Sequence, residues 1–236
     1  MPVRALTFDA AGTLIEIAEP VGETYARIGG RHGIAVVPAE VEGRFRAAMA
    51  AAPPLAFAGI SSVGRSTRER EWWRAVVRGS LGNPANVPAF DRCFDELFLH
   101  YAGAGAWRVF PDVLAALAAL RSRGLVVAVV SNFDSRLGPL LADLGIARLV
   151  DHVFVSSSVG YAKPDPTIFR VACTAFGVPA RATMHVGDSV TLDVDGARAA
   201  GIAAVLVDRN ARRPSLPAGA RAITTLEELD ALLVQP

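Results

Sequence analysis

Asp9 follows an apolar run, Val3 to Phe8, and leads into Ala10-Ala11-Gly12-Thr13-Leu14. A carboxylate on a turn of small residues is placed to act as a nucleophile. Three other stretches offer what such a nucleophile needs. Ser131-Asn132 follows a second apolar run, Lys163 precedes Pro164, and Asp188 lies within Gly187-Asp188-Ser189-Val190-Thr191-Leu192-Asp193. Together they suit phosphoryl transfer through an aspartyl-phosphate. A carboxylate approaches a phosphate dianion only where positive charge offsets the repulsion. Asp9 and Asp188 can hold Mg²⁺, a hard cation that takes carboxylate, water and substrate oxygens. Lys163 adds a compact positive charge. The Ser131 hydroxyl and nearby backbone N–H groups can bind phosphoryl oxygens, and the Thr13 hydroxyl can orient the Asp9 loop. Thr13, Ser131 and the adjoining Asn132 are the candidate phosphate-binding residues.

Each stretch alone has an ordinary reading. Asp-x-x-x-Thr after a strand can be an Asx-turn, a lone Ser a helix cap, and a lone Lys a solvated side chain. Their order, at successive strand ends, is what is specific. Composition adds weight to Lys163. Of 24 basic residues it is the only lysine; the rest are arginine. Lys and Arg are not interchangeable where a point charge is needed.

Four strand ends must converge for this chemistry, and the pattern predicts that they do. Leu125 to Val130, Val153 to Val155, Thr183 to Val186 and Ala203 to Val207 read as strands. Helices are predicted from Pro111 to Gly124, over Leu137 to Leu144, Pro166 to Phe176 and Asp195 to Ala200, and from Leu226 to Leu233. Strands alternating with helices predict parallel βαβ units with right-handed crossovers. The carboxyl ends of such strands share one edge, where ligands bind. His185, inside the fourth strand, reads as a core histidine. Arg209, Arg212 and Arg213 read as a solvated, Pro-containing loop.

Between the first and second strands the character changes. Pro20 to Arg31, Glu40 to Ala51, Ser66 to Arg78 and Ala89 to Ala102 read as helices, with Ser66 as an N-cap and no convincing strand. The fold class predicted is α/β, a parallel-sheet core of residues 1–16 and 108–236 with an all-α cap, 17–107, inserted. The crossings near 17 and 107 can act as hinges of a lid.

These residues resemble the haloacid dehalogenase (HAD) superfamily of hydrolases, in subfamily I, whose helical C1-type cap follows the first motif. Phe8-Asp9-Ala10-Ala11-Gly12-Thr13-Leu14 resembles motif one and Val129-Val130-Ser131-Asn132 motif two. Ala162-Lys163-Pro164 resembles motif three, and Gly187-Asp188-Ser189 with Asp193 motif four. The resemblance implies a Rossmann-like three-layer core, a Mg²⁺ cofactor and hydrolysis through a covalent Asp9 adduct. It implies that the metal takes Asp9, Asp188 and the backbone carbonyl of Ala11, with Asp193 behind them. The departure is the Ala11 side chain. Family phosphatases carry a second Asp there, as general acid and then base, a role typically worth on the order of 10²–10⁴ in rate.

The sequence therefore predicts a Mg²⁺-dependent, phosphatase-type hydrolase of a small phosphorylated metabolite, with acid catalysis impaired or supplied from elsewhere. Asp134 and Glu23 are possible donors, and Arg65, Trp72 and Trp73 candidate cap residues. Similar 2-haloacid dehalogenases also lack the second Asp, but need no metal, which the intact fourth motif argues against. Phosphonoacetaldehyde hydrolases need a cap lysine, and Lys163 lies in the core. A catalytically weak binding or regulatory protein is the fourth reading. The net charge of +1 makes no electrostatic case for nucleic acid or an anionic membrane. Cys93 and Cys173 have neither metal nor disulfide-framework spacing. A cytoplasmic location is the expectation, since the sequence shows neither a secretory segment nor a membrane span.

Overall fold

The computed structural model describes residues 2–212 and 214–233. Arg213, of the expected arginine loop, and the termini of the expected core segments (residue 1 and residues 234–236) lie outside the described residues.

Among the described residues eight strands are formed: β1 (Ala5–Phe8), β2 (Ile15–Ile17), β3 (Trp107–Val109), β4 (Val126–Ser131), β5 (His152–Val155), β6 (Thr183–Gly187), β7 (Ala203–Val207) and β8 (Arg221–Ile223). Six make a parallel sheet in the order β5-β4-β1-β6-β7-β8. Its centre is the first strand, bracketed by β4 and β6, with Phe8 in register with Val129 and Val186. The residues just after these three strands therefore meet at one sheet edge.

Successive strand side chains point to opposite faces. Val127, Ala128, Val129 and Val130 are all fully buried, so both faces of β4 are covered. That gives helix, sheet and helix layers, a Rossmann-like α/β fold. Helix Pro166–Phe176 shows how the sequence closes one layer. Asp165 caps it by accepting from Thr167 N at 2.8 Å, and Gly177 ends it at φ +69°. Its buried face, Ile168, Phe169, Ala172 and Cys173, packs with Val130, Ala197 and Ile202.

The chain divides into two compact units. The first runs through Glu16, takes in Ala56–Gly59, and resumes at Val109; the second is Ile17–Leu55 and Ile60–Arg108. Segment Ala56–Gly59 lies within the stretch read from sequence as the insert. It groups with the first unit because Gly160 lies against it; a Cβ there would stand 2.8 Å from Ala58 Cα.

The second unit holds four α-helices, Val21–Arg31, Pro38–Ala51, Ser62–Ser80 and Val87–His100. Tyr25, Ile28, Val41, Val77, Phe90, Phe94 and Leu97 form its own core. The third helix starts earlier than Ser66. Ser61 Oγ accepts from Gly64 N at 3.3 Å and caps it there, and Ser66 instead bonds back to the Ser62 carbonyl at 3.2 Å. Three strands were not expected. β2 and β3 pair as a two-stranded sheet, and β8 adds a mostly exposed edge of only three residues. Such short runs carry no alternation long enough to read.

Candidate active site

The loop after β1 is a tight turn. The Ala10 carbonyl accepts from the N–H groups of Thr13, Leu14 and Ile15 at 3.3, 2.8 and 3.0 Å, and Gly12 N donates to the Ile15 carbonyl at 2.7 Å. Gly12 is required twice over. Its φ is +86°, and a Cβ would stand 2.4 Å from Asp188 Oδ2. The loop backbone is thus pressed against the carboxylate that follows β6.

Lys163 joins the buried groups. Its Nζ donates to Asp9 Oδ1 and to Asp193 Oδ1, both at 2.6 Å. Asp9 is 7% exposed, Lys163 4% and Asp193 1%. Charges so far from water persist only when paired and hydrogen-bonded. Asn132 holds the lysine in place: Lys163 N donates to Asn132 Oδ1 at 2.7 Å, and Asn132 Nδ2 donates to the Lys163 carbonyl at 2.9 Å. The Asn132 amide, read from sequence as a phosphate ligand, is thus engaged with the peptide of Lys163. Asp193 is fixed from three sides, by Lys163, by Ser189 N at 2.9 Å to Oδ2, and by His185 Nε2 at 3.1 Å to Oδ1. His185 is fully buried, and its Nδ1 lies 2.9 Å from the Thr7 hydroxyl.

Asp9, Asp188 and Asp193 each present an oxygen within 4.8 Å of the others. Three carboxylates against one ammonium leave the cluster short of positive charge. That balance of charge and burial sets the direction in which each group is shifted. Burial pushes Asp9 up, opposed by Lys163 and by a hydrogen bond from Ser131. Asp188 is exposed at its surface, yet desolvation and then the charges of Asp9 and Asp193 push it up to about 6. Burial would lower Lys163, but attraction to Asp9 and Asp193 outweighs it and the ammonium is held above its usual value. Burial would raise Asp193, but Lys163 and the His185 hydrogen bond hold it well below the usual carboxylate range. The set suits a hard divalent cation: all-oxygen donors, an exposed Asp188, and a charge deficit that such an ion would fill. Asp193, with both oxygens already bonded, suits the layer behind it.

The other expected residues are placed as follows. Ser131, at the end of β4, is 2% exposed and reaches Asp9. Thr13 is fully buried, and its hydroxyl has no hydrogen-bond partner. Ala11 is exposed. Asp134 is buried with its carboxylate on Arg136, Nε to Oδ1 at 2.9 Å and Nη2 to Oδ2 at 2.6 Å, which leaves it poorly placed as an acid. Glu23 is exposed on a helix of the second unit, and Arg65, on another helix of that unit, is half-buried, its Nε buried without a hydrogen-bond partner among the described residues. In that unit Trp73 packs on the helical core, and Trp72 Nε1 donates to the Pro53 carbonyl at 2.7 Å. Cys93 and Cys173 are buried and unbonded to each other.

Arg209 departs from the solvated loop expected for it. Its Nη1 donates to both oxygens of Asp112, at 2.8 and 2.7 Å, and its Nη2 to the Thr13 carbonyl at 2.7 Å. The pairing spans 97 residues of chain, so no local spacing announces it. Its place two residues after the strand end at Val207 is the only signal in the sequence, and charge in a loop is usually solvated.

The parallel α/β sheet carries, at the end of its central strand, a buried carboxylate faced by a lysine and two more carboxylates, a site of the kind hydrolases use. The haloacid dehalogenase-like hydrolase family model matches residues 3–201, and the chain belongs to that family. It is 37% identical over 210 residues to the mouse (Mus musculus) haloacid dehalogenase-like hydrolase domain-containing protein 3, covering 88% of this chain and 82% of that one. It is 31% identical to a phosphoserine phosphatase of Thermus thermophilus, covering 89% and 90% of the two chains. Its fold is similar to that of a HAD phosphatase from Thermococcus onnurineus, with TM-score 0.69, 25% identity and 98% of each chain covered.

Proposed function

We propose that the protein is a Mg²⁺-dependent phosphomonoester hydrolase that works through an aspartyl-phosphate on Asp9. The observation that carries this reading is Lys163 Nζ held 2.6 Å from both Asp9 and Asp193, with Asp188 open beside them. The likeness to a phosphoserine phosphatase supports a small phosphorylated substrate. The residues that would hold Mg²⁺ are Asp9, Asp188 and the Ala11 carbonyl, with Asp193 behind. When bound, the ion supplies positive charge against the phosphoryl oxygens and keeps Asp9 and Asp188 ionised.

The chain's own residues divide the rest of the work. Asp9 attacks phosphorus; a carboxylate–phosphorus bond forms and the bond to the leaving oxygen breaks. Lys163 keeps Asp9 ionised and offsets the phosphoryl charge. Ser131, with backbone N–H groups of the loops, binds phosphoryl oxygens. Water then cleaves the acyl phosphate and returns Asp9. Ala11 offers no proton to the leaving oxygen, and Asp134 is engaged with Arg136. The enzyme therefore favours leaving groups that depart as stable anions. Residues 17–107 form the cap domain of a cytoplasmic enzyme. Among the described residues no helix is long and apolar enough to cross a membrane.

One assay tests this reading: para-nitrophenyl phosphate, an alkyl phosphate and a 2-haloacid, each with Mg²⁺ and with EDTA. Mg²⁺-dependent turnover of the aryl ester above the alkyl one is expected, and Asp9→Asn abolishes it. The Ala11 side chain also suits a halide, which needs no proton. Halide release in EDTA would replace the phosphatase reading with a dehalogenase, and no turnover of any substrate would point to a binding or regulatory protein.

A further inference from the structure

Arg209 stands outside the carboxylate cluster but is bonded to the loop that carries it. Its guanidinium chelates Asp112, donates to the Thr13 carbonyl and lies 4.2 Å from the centre of the Phe110 ring. The Arg209 and Asp112 side chains are only 10% and 8% exposed. Asp112 Oδ2 also accepts from Leu226 N at 2.6 Å, so the carboxylate is itself fixed. This buried, charge-assisted pair, with Nη1 shared between both Asp112 oxygens, leaves Nη2 aimed at the Thr13 carbonyl and anchors the guanidinium.

What it anchors is the turn behind Asp9. Thr13 sits between Gly12 and Leu14, and its own hydroxyl is buried without a partner. The tether that the Thr13 side chain does not supply comes to its carbonyl from Arg209. Gly12, one residue earlier, has no spare room against Asp188; the place where a Cβ would stand is 2.4 Å from Asp188 Oδ2. A small shift of this turn moves the Ala11 carbonyl and the spacing of Asp9 and Asp188 together.

We infer that Arg209, fixed by Asp112, is a positioning residue that holds the Asp9 loop in its reactive geometry. This rests on the reading of that loop as the reaction loop. Lysine at 209 keeps the charge but cannot span Asp112 and the Thr13 carbonyl with one forked group. Misplacing reacting atoms by about 1 Å costs on the order of 10²-fold in rate.

The test uses Arg209→Lys, Asp112→Asn and their combination in the full chain. Arg123→Lys, which alters an exposed ion pair with Asp230, is the control. Backbone hydrogen exchange over residues 10–15 is measured without substrate, and kcat and KM with the aryl phosphate. Faster exchange at Gly12, Leu14 and Ile15 is expected in both single variants. The kcat should fall on the order of 10²-fold while KM stays within about twofold, and the double variant should be no worse than either single one. The control should change none of these. Wild-type exchange over residues 10–15 in Arg209→Lys would overturn the inference. So would a lowered Tm with kcat per folded molecule unchanged. If the wild-type protein turns over no phosphate ester, the functional reading fails by itself, and the exchange result still decides the clamp. If Asp112→Asn does not fold, Arg209→Lys decides alone.

Discussion

Lys163 Nζ serves two buried carboxylates at once, at 2.6 Å each, so its replacement alters both. Lys163→Met removes the one ammonium that offsets Asp9 and Asp193. Breaking a buried pair in this way typically costs about 3–5 kcal/mol. Urea unfolding of the metal-free variant should show a loss of that size, partly restored by Mg²⁺, with aryl phosphate turnover gone at any Mg²⁺ concentration. Lys163→Arg keeps the charge but replaces a compact ammonium with a planar fork; it should fold and still lose most turnover. Ala11 sets the opposite experiment. Its position is exposed, so an added carboxylate meets water rather than the core. Ala11→Asp should raise alkyl phosphate turnover by about 10-fold or more, within the range of a restored general acid. An unchanged alkyl rate would mean that substrate binding is limiting instead.

At the scale of elements, the site depends on how strand ends are tied to one another. Asn132 ties the end of β4 to the Lys163 loop through two hydrogen bonds, 2.7 and 2.9 Å. Asn132→Ala leaves the Lys163 N–H and carbonyl without those partners, at a cost of about 1–3 kcal/mol. It should lower kcat more than it raises KM, since the lysine loosens while the phosphate ligands stay; urea unfolding and aryl phosphate kinetics check both. This tie also shows what was legible beforehand. Apolar runs ending in Asp9, Ser131 and Asp188 announce buried parallel strands with chemistry at their ends, because a strand covered on both faces leaves a continuous hydrophobic signature. The lone lysine among arginines marks Lys163. The Asn132–Lys163 peptide pairing leaves no signature, since Asn after a strand is compatible with many roles. Arg209 and Asp112 are silent for a sharper reason: the pair is made by topology, 97 residues apart. β2, β3 and β8 are three residues each, too short for a period. Ser61 displaced Ser66 as the helix cap because two serines five residues apart offer the same local chemistry.

For the whole molecule, the carboxylate cluster links folding to pH and, under the proposed function, to Mg²⁺. Asp188 has a folded value of about 6 against an ordinary 3.8. A carboxyl raised on folding binds more protons in the native state, so the metal-free protein loses the Asp188 contribution as pH rises from about 4 through about 6. Asp193 is held below its ordinary value, so its contribution has the opposite sign: it is present above about 3.8 and lost only as pH falls beneath that. Between pH 5 and 7 Asp188 therefore contributes a decline, and Asp9, also raised by burial, contributes with the same sign. The same proton competes with a cation for Asp188, because metal ligands must be deprotonated. Mg²⁺ should accordingly bind more tightly at pH 7 than at pH 5, releasing protons as it does, and raise Tm more at the higher pH. Asp188→Asn removes one titrating group; its metal-free form should show a smaller decline in stability between pH 5 and 7 than the wild type, and lose most of the Mg²⁺ effect on Tm. Calorimetric titration and thermal unfolding at the two pH values check this. A Mg²⁺ affinity that is equal at pH 5 and 7 would separate Asp188 from the metal and leave its raised value without a role in binding.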